Sequence, residues 1–173
     1  MAKRNNFVPY YFTSMIETLR KKLHAPELNE VLNNLLQHAM MMCETKAGTL
    51  QLINKTNNTL EIATSFGLSE EFISHFSIVT CDDGSVCGRA LAKGETIFIS
   101  DLTTDRLFAR HLNLALQNNI RAVLSTPLIS GSHKIVGMIS VHFMTPKKIS
   151  KISLQAFESF CKKAADKIEE FTS

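Results

Sequence analysis

The stretch RAVLSTPLI (residues 121–129), the turn SGSH (130–133) and the stretch KIVGMISVHF (134–143) read as two apolar strands joined by a short turn. Side chains alternate along a strand, so Gly137, Ile139, Val141 and Phe143 share one face, and Val136, Met138, Ser140 and His142 share the other. The first face is wholly apolar, as expected beneath covering helices. The second begins apolar and ends in a hydroxyl and an imidazole, as expected on the wall of a pocket.

Working outward, 173 residues suit one domain with a single substantial core. Hydrophobic residues make up 45% and charged residues 20%, which places the chain among globular rather than disordered proteins. A net charge of +3 gives no electrostatic footprint for nucleic acid. The lysines near the C-terminus (Lys147, Lys148, Lys151, Lys162, Lys163, Lys167) are interrupted by Asp166, Glu169 and Glu170, the pattern of a solvated helix face. Lys3 and Arg4 are not followed by a long apolar run, so no signal peptide is expected, and no stretch reaches the length of a membrane span. Cys43, Cys81, Cys87 and Cys161 lack metal spacing and read as free thiols of a cytoplasmic protein.

Before the two strands, Phe12, Ile16, Leu19 and Leu23 predict a helix over residues 9–24, and Pro26 is expected to end it and start another. The second helix carries a broad stripe of Leu28, Val31, Leu32, Leu35, Leu36, Ala39 and Met42, wide enough to cover a sheet. Residues 47–54 and 59–66 predict a strand pair around the turn KTNN (55–58). Ser69 reads as the cap of a short helix that turns Phe72, Ile73 and Phe76 inward. A loop over 80–84 leads to Ser85, the expected N-cap of a helix over 86–93 that Gly94 ends. Residues 96–99 form a third strand, 101–105 a polar turn, and 107–118 a helix with Phe108, Leu112 and Ala115 or Leu116 inward.

The chain closes on one long helix whose Leu154, Phe157, Cys161, Ala164, Ile168 and Phe171 repeat at heptad spacing. Helices at both ends with strands between predict an α/β (α+β) fold, a central antiparallel sheet covered on one face by the terminal helices. Residues 1–27 are read as an N-terminal helix serving dimerisation, and 28–173 as the domain.

In the middle of the chain GSVCGRAL (84–91), GETIFISDL (94–102) and Asp105-x-x-Phe108 resemble a GAF domain. IRAVLSTPL (120–128) and VGMISVHF (136–143) resemble its last two strands. The resemblance implies a sensory module of bacterial type, with short helices and loops enclosing a small-molecule pocket on the sheet face opposite the terminal helices. It also implies dimers through those helices. The heptad seam suits such a homodimer, and equally suits packing of the two helices within one chain. With no output domain after Phe171, output is expected to act through a separate signalling protein or through dimer geometry.

The family's named ligands fit poorly. Asn54-Lys55 lacks the Phe and acidic residues of the cyclic-nucleotide signature, and no cysteine carries a bilin-attachment motif. His142 or His111 would have to serve as a haem ligand without a supporting motif, so no cofactor is expected. The free methionine-(R)-sulfoxide reductase branch attacks with a cysteine that the interval 101–119 lacks, and Ser140 and His142 stand where it carries two aspartates. These departures predict a domain without catalysis. Its ligand would sit against Ser85, Cys87, Phe98, Asp101, Phe108, Ser125, Met138, Ser140 and His142, with Arg121 pairing either Asp101 or a ligand carboxylate. Cys87 follows the Ser85 cap closely enough for the helix N-terminus to favour a thiolate, against the charge of Asp82 and Asp83. A peroxide-sensing thiol, with Cys81 as partner, is therefore one alternative function, set against a small buried residue where the helix meets the sheet, and a divergent enzyme like the free methionine sulfoxide reductases is the other.

Overall fold

The computed structural model of the chain describes the backbone of residues 10–172 and the side chains of residues 26–172. Its centre is β6 (Ile135–Phe143), which pairs with β1 (Ala47–Asn54) on one side and β5 (Ala122–Ile129) on the other. The six-stranded sheet has the order β3-β2-β1-β6-β5-β4, with β2 at Thr59–Phe66, β3 at Ile78–Val79 and β4 at Ile97–Ile99. Every pairing is antiparallel. Central strands bury both faces, which is why β5 and β6 are almost wholly buried along their lengths.

The two faces carry separate cores. Ile139, Val141 and Phe143 of β6, with Leu50 and Leu124 from its neighbours, pack beneath α1 (Tyr10–Met42) and α5 (Lys151–Thr172). Leu32, Leu36 and Ala39 come from α1, and Phe157, Cys161, Ala164 and Ile168 from α5. Four of the heptad residues of α5 are thus buried inside the chain, and Leu154 packs partly buried against them. His38 of α1 stacks on Phe160 of α5 with ring centroids 5.0 Å apart. Met138 faces the opposite core with Phe72, Phe76, Val86, Phe108 and Ile120. That core lies under α2 (Glu70–His75), α3 (Val86–Lys93), α4 (Leu112–Gln117) and the 3-10 segments Leu102–Thr104 and Arg106–His111.

Local chemistry fixes these short elements. The Ser69 hydroxyl accepts from the Phe72 amide at the start of α2, and the Ser85 hydroxyl from the Gly88 amide at the start of α3. Gly94 closes α3 in the left-handed region at φ 64. Where β1 and β6 run side by side, a Cβ on Gly137 would lie 2.2 Å from the Gln51 carbonyl oxygen, so only glycine allows that approach.

The structure corrects several expectations. The helix does not stop at Pro26: α1 runs through it without interruption from Tyr10 to Met42. The lost amide leaves one carbonyl of the preceding turn unpaired, and Pro26 is exposed, so water can reach that region of the helix surface. The spacing of Phe12, Ile16, Leu19 and Leu23 lies outside the residues whose side chains are described. Residues 1–9, on which the start of that helix and the exclusion of a signal peptide rest, lie outside the described residues altogether. Val136 joins the helix-covered core rather than the pocket face. Register shifts between Leu128 and Ile129, so Val136 is the extra residue of a bulge and alternation resumes after it. The helix expected over 107–118 is a 3-10 segment followed by α4, and Leu116 is exposed while Ala115 is buried. Among the described residues no helix is long and apolar enough to cross a membrane.

Candidate functional site

Between the sheet and its short helices lies a cavity of about 30 Å³. Its floor is the sheet: Thr49 and Gln51 of β1, Val123 and Ser125 of β5, and Ser140 and His142 of β6. Register places these together, since Thr49 opposes Ser140 and Ser140 opposes Ser125. Phe72 from α2, Phe76 at its C-cap, Phe108 from the 3-10 segment and Ser85, Val86 and Cys87 at the start of α3 form the roof. None of the lining residues is Asp, Glu, Lys or Arg.

Some polar groups of the lining are already satisfied. The Ser125 and Ser140 hydroxyls hydrogen bond at 2.7 Å, and the Ser85 hydroxyl is engaged by the Gly88 amide at 3.0 Å. Others are not. Among the described residues, neither ring nitrogen of His142, nor Oε1 of Gln51, has a hydrogen-bond partner, although both residues are buried. Burial alone pushes the His142 imidazole down to about 4, so the ring is neutral at physiological pH. A neutral imidazole offers one donor and one acceptor. Its ring stands edge-on to Phe72 at 5.5 Å, which holds it in place without satisfying it.

A clasp closes the roof. His75 Nε2 of α2 lies 2.9 Å from His111 Nδ1, and His111 Nε2 lies 2.8 Å from the carbonyl oxygen of Asp83, in the loop before α3. The Arg110 guanidinium donates to the same carbonyl. Burial holds the His111 pKa below the ordinary imidazole value, with the Asp83 carbonyl opposing. Farther along, Asp105 caps the 3-10 segment by accepting from the Leu107 and Phe108 amides at 2.9 and 3.2 Å. Its other oxygen takes Arg89 of α3 at 3.0 Å.

Of the residues singled out in the sequence, Ser85, Cys87, Phe108, Ser125, Ser140 and His142 line the cavity. Phe98 does not. It opposes Leu124 across β4 and β5 and packs into the helix-covered core, while Ile97 and Ile99 face the other way. Met138 is fully buried beneath the short helices without lining the cavity. Asp101 and Arg121 stand away from the cavity as an ion pair at 2.9 Å, and Asp101 also caps the segment Leu102–Thr104. Hydrogen bonds from Thr103, then Arg121, hold the Asp101 carboxyl below its usual range.

The thiolate of the alternative reading finds no support at Cys87. The residue keeps some exposure, but its sulfur is desolvated, and burial pushes the thiol up to about 11 despite a contact of 3.4 Å with the Ser85 hydroxyl. Desolvation outweighs the helix N-terminus here. Sequence reasoning missed Gln51 and Thr49. With Leu50 assigned to the helix side, the period of two along β1 would have sent both polar neighbours to the pocket. It also missed Ile62, Phe72, Phe76, Val86, Ala115, Ile120 and Val123 as lining residues, because apolar walls look like core in a sequence.

An antiparallel sheet with terminal helices on one face and a roofed cavity on the other is the architecture of an α/β pocket domain. The chain belongs to the GAF domain family, which matches residues 25–169. Its structure is similar to the GAF domain/HD domain protein from Geobacter sulfurreducens, with a TM-score of 0.69, 17% identity, and coverage of 84% of this chain and 94% of that one. It is also similar to the type II free methionine-R-sulfoxide reductase from Thermoplasma acidophilum, with a TM-score of 0.64, 14% identity, and coverage of 83% and 96%. The PixJ GAF domain of Thermosynechococcus elongatus in its blue-light absorbing form gives 0.61 at 13% identity, covering 85% and 88%. At such identities the likeness is one of fold. No curated protein matches the chain in sequence.

Proposed function

We propose that the chain is a non-catalytic, cytoplasmic sensory module that binds a small molecule in this cavity and reports its presence through the terminal helices. The observation that carries the reading is the pair of buried, unpartnered polar side chains, Gln51 and His142, in an otherwise apolar lining. Leaving such groups unsatisfied costs about 1–3 kcal/mol each, which a ligand in the cavity would recover.

β6 supports the coupling. Ser140 and His142 face the cavity, while Ile139, Val141 and Phe143 on the same strand touch the core under α1 and α5. The turn before β6 also meets α5 directly, the Gly131 amide donating to Asp166 at 2.6 Å and the Ser132 hydroxyl to Glu169 at 2.7 Å. A ligand that shifts β6 would thereby favour one setting of α5, and a separate signalling protein would read that setting. A homodimer through the terminal helices belongs to the same proposal.

Native mass spectrometry of the purified chain, followed by hydrogen exchange with and without the released molecule, tests the reading. A bound small molecule whose removal speeds exchange in both α2 and α5 is expected. Loss of protection in the roof alone would remove the coupling. A metabolite panel without any thermal shift would remove the ligand. A monomer by light scattering would remove the dimer.

The thiol-sensor alternative draws no support from Cys87, whose raised pKa works against a reactive thiolate. Catalysis of the reductase type is not expected, and turnover of free methionine sulfoxide with a thiol reductant would overturn that part of the proposal.

A further inference from the structure

Resting on the reading of the cavity as a ligand site, we infer that its ligand is a compact, uncharged molecule bearing a carboxamide or urea group. Three features of the lining converge on that class.

The first is charge. With no ionisable carboxylate, ammonium or guanidinium in the lining, an ionic ligand would lose its hydration and gain no counter-charge. The lone titratable base facing the space, His142, is held neutral by its burial.

The second is the hydrogen-bond count. The Ser125–Ser140 and Ser85–Gly88 bonds give each of those hydroxyls one partner within the chain. The groups left for a ligand are the His142 ring, with one donor and one acceptor, and the Gln51 amide, whose buried Oε1 accepts and whose Nε2 donates. Each of the two groups presents a donor beside an acceptor, and a primary carboxamide, with N–H groups and a carbonyl on neighbouring atoms, complements both. Because an amide carries donor and acceptor on neighbouring atoms, it also meets the Gln51 amide and the imidazole whichever way each is turned. An alcohol brings one donor, and an ester or ketone none.

The third is size and shape. A cavity of about 30 Å³ is far below the ~300–1,000 Å³ of sites for drug-sized ligands, so it takes a few heavy atoms. Phe72, Phe76 and Phe108 wall it with aromatic surface suited to a flat group and a short apolar stem.

The test uses the full chain labelled with ¹⁵N-histidine, titrated with acetamide and propionamide against acetate, propionate, methylammonium and xenon. The two amides should move the His142 ring signals to saturation, with propionate and methylammonium weaker by about tenfold or more. Gln51→Leu and His142→Phe should each weaken propionamide by about tenfold. If His142→Phe does not fold, Gln51→Leu carries that arm alone. Binding of propionate or methylammonium as tight as propionamide would overturn the uncharged class while leaving the cavity a ligand site. Propionamide binding unchanged in Gln51→Leu would overturn the amide pairing. No response of any lining residue to any probe, xenon included, would overturn both the class and the reading on which it rests.

Discussion

Ser125 and Ser140 stand directly opposite on β5 and β6, and their hydroxyls meet at 2.7 Å in the floor of the cavity with neither residue exposed by more than 2%. Each is the other's partner within the buried floor. Ser125→Ala should therefore cost about 1–3 kcal/mol in urea unfolding, chiefly through the hydroxyl left behind. Replacing both serines should cost clearly less than the two single losses added together. Additive losses would show that the two hydroxyls do not depend on each other.

Acid should weaken the fold through His142. Its folded pKa of about 4 lies below the ordinary 6.5, so between these values the unfolded chain takes a proton that the folded chain refuses. Stability is unaffected by this group above pH 6.5, falls as pH drops below it, and levels off near 4. At roughly 1.4 kcal/mol per unit the loss is about 3 kcal/mol. His111, also held low, acts in the same direction. Urea midpoints across this range should show the slope, and His142→Phe should flatten it. An unchanged slope in that variant would place the acid sensitivity elsewhere.

Asp105 joins two elements of the roof, capping the segment that carries Phe108 while pairing with Arg89 of α3. Asp105→Ala should cost about 2–4 kcal/mol, because it removes the cap and strands a largely buried guanidinium. Asp105→Asn keeps a capping oxygen and should cost less. Equal losses in the two variants would show that charge, rather than the cap, dominates.

The cysteines should separate by reactivity. Cys81 is exposed, whereas burial raises both Cys43 and Cys87 to about 11 and Cys161 higher still. Iodoacetamide at neutral pH should label Cys81 first, and peroxide should leave Cys87 unmodified in the folded chain. Early modification of Cys87, read by peptide mass spectrometry, would restore the thiol-sensor reading.

Much of the framework is legible wherever local chemistry decides it. The caps at Ser69 and Ser85, the left-handed Gly94 and the alternation of Ile139, Ser140, Val141 and His142 each follow from a few neighbouring residues. What escaped depends on pairing between distant segments. The two-residue strand Ile78–Val79 exists because Leu60 and Glu61 are there to receive it. The side taken by Phe98 follows from its register with Leu124, and the bulge at Val136 from the mismatch with β5. Pro26 misled for another reason, since a strong local rule against proline in helix interiors is overridden by the continuous helix through it. The cavity itself was half visible: polar residues on a buried strand announced it, whereas its phenylalanine roof did not.

The central place of β6 has a consequence for how the chain acquires its structure. Ala47 must find His142, and Gly48 Val141, across most of the sequence, so the pairing that completes the sheet is among its least local. Loop closure of that length slows folding relative to a helical protein of the same size. During synthesis β1 and β5 would each present an open edge until residues 135–143 emerge, a window in which the hairpin Ala47–Phe66 is exposed to mispairing. The strand that supplies Ser140 and His142 is thus also the closing piece of the sheet, and the cavity does not exist on the nascent chain before it is inserted.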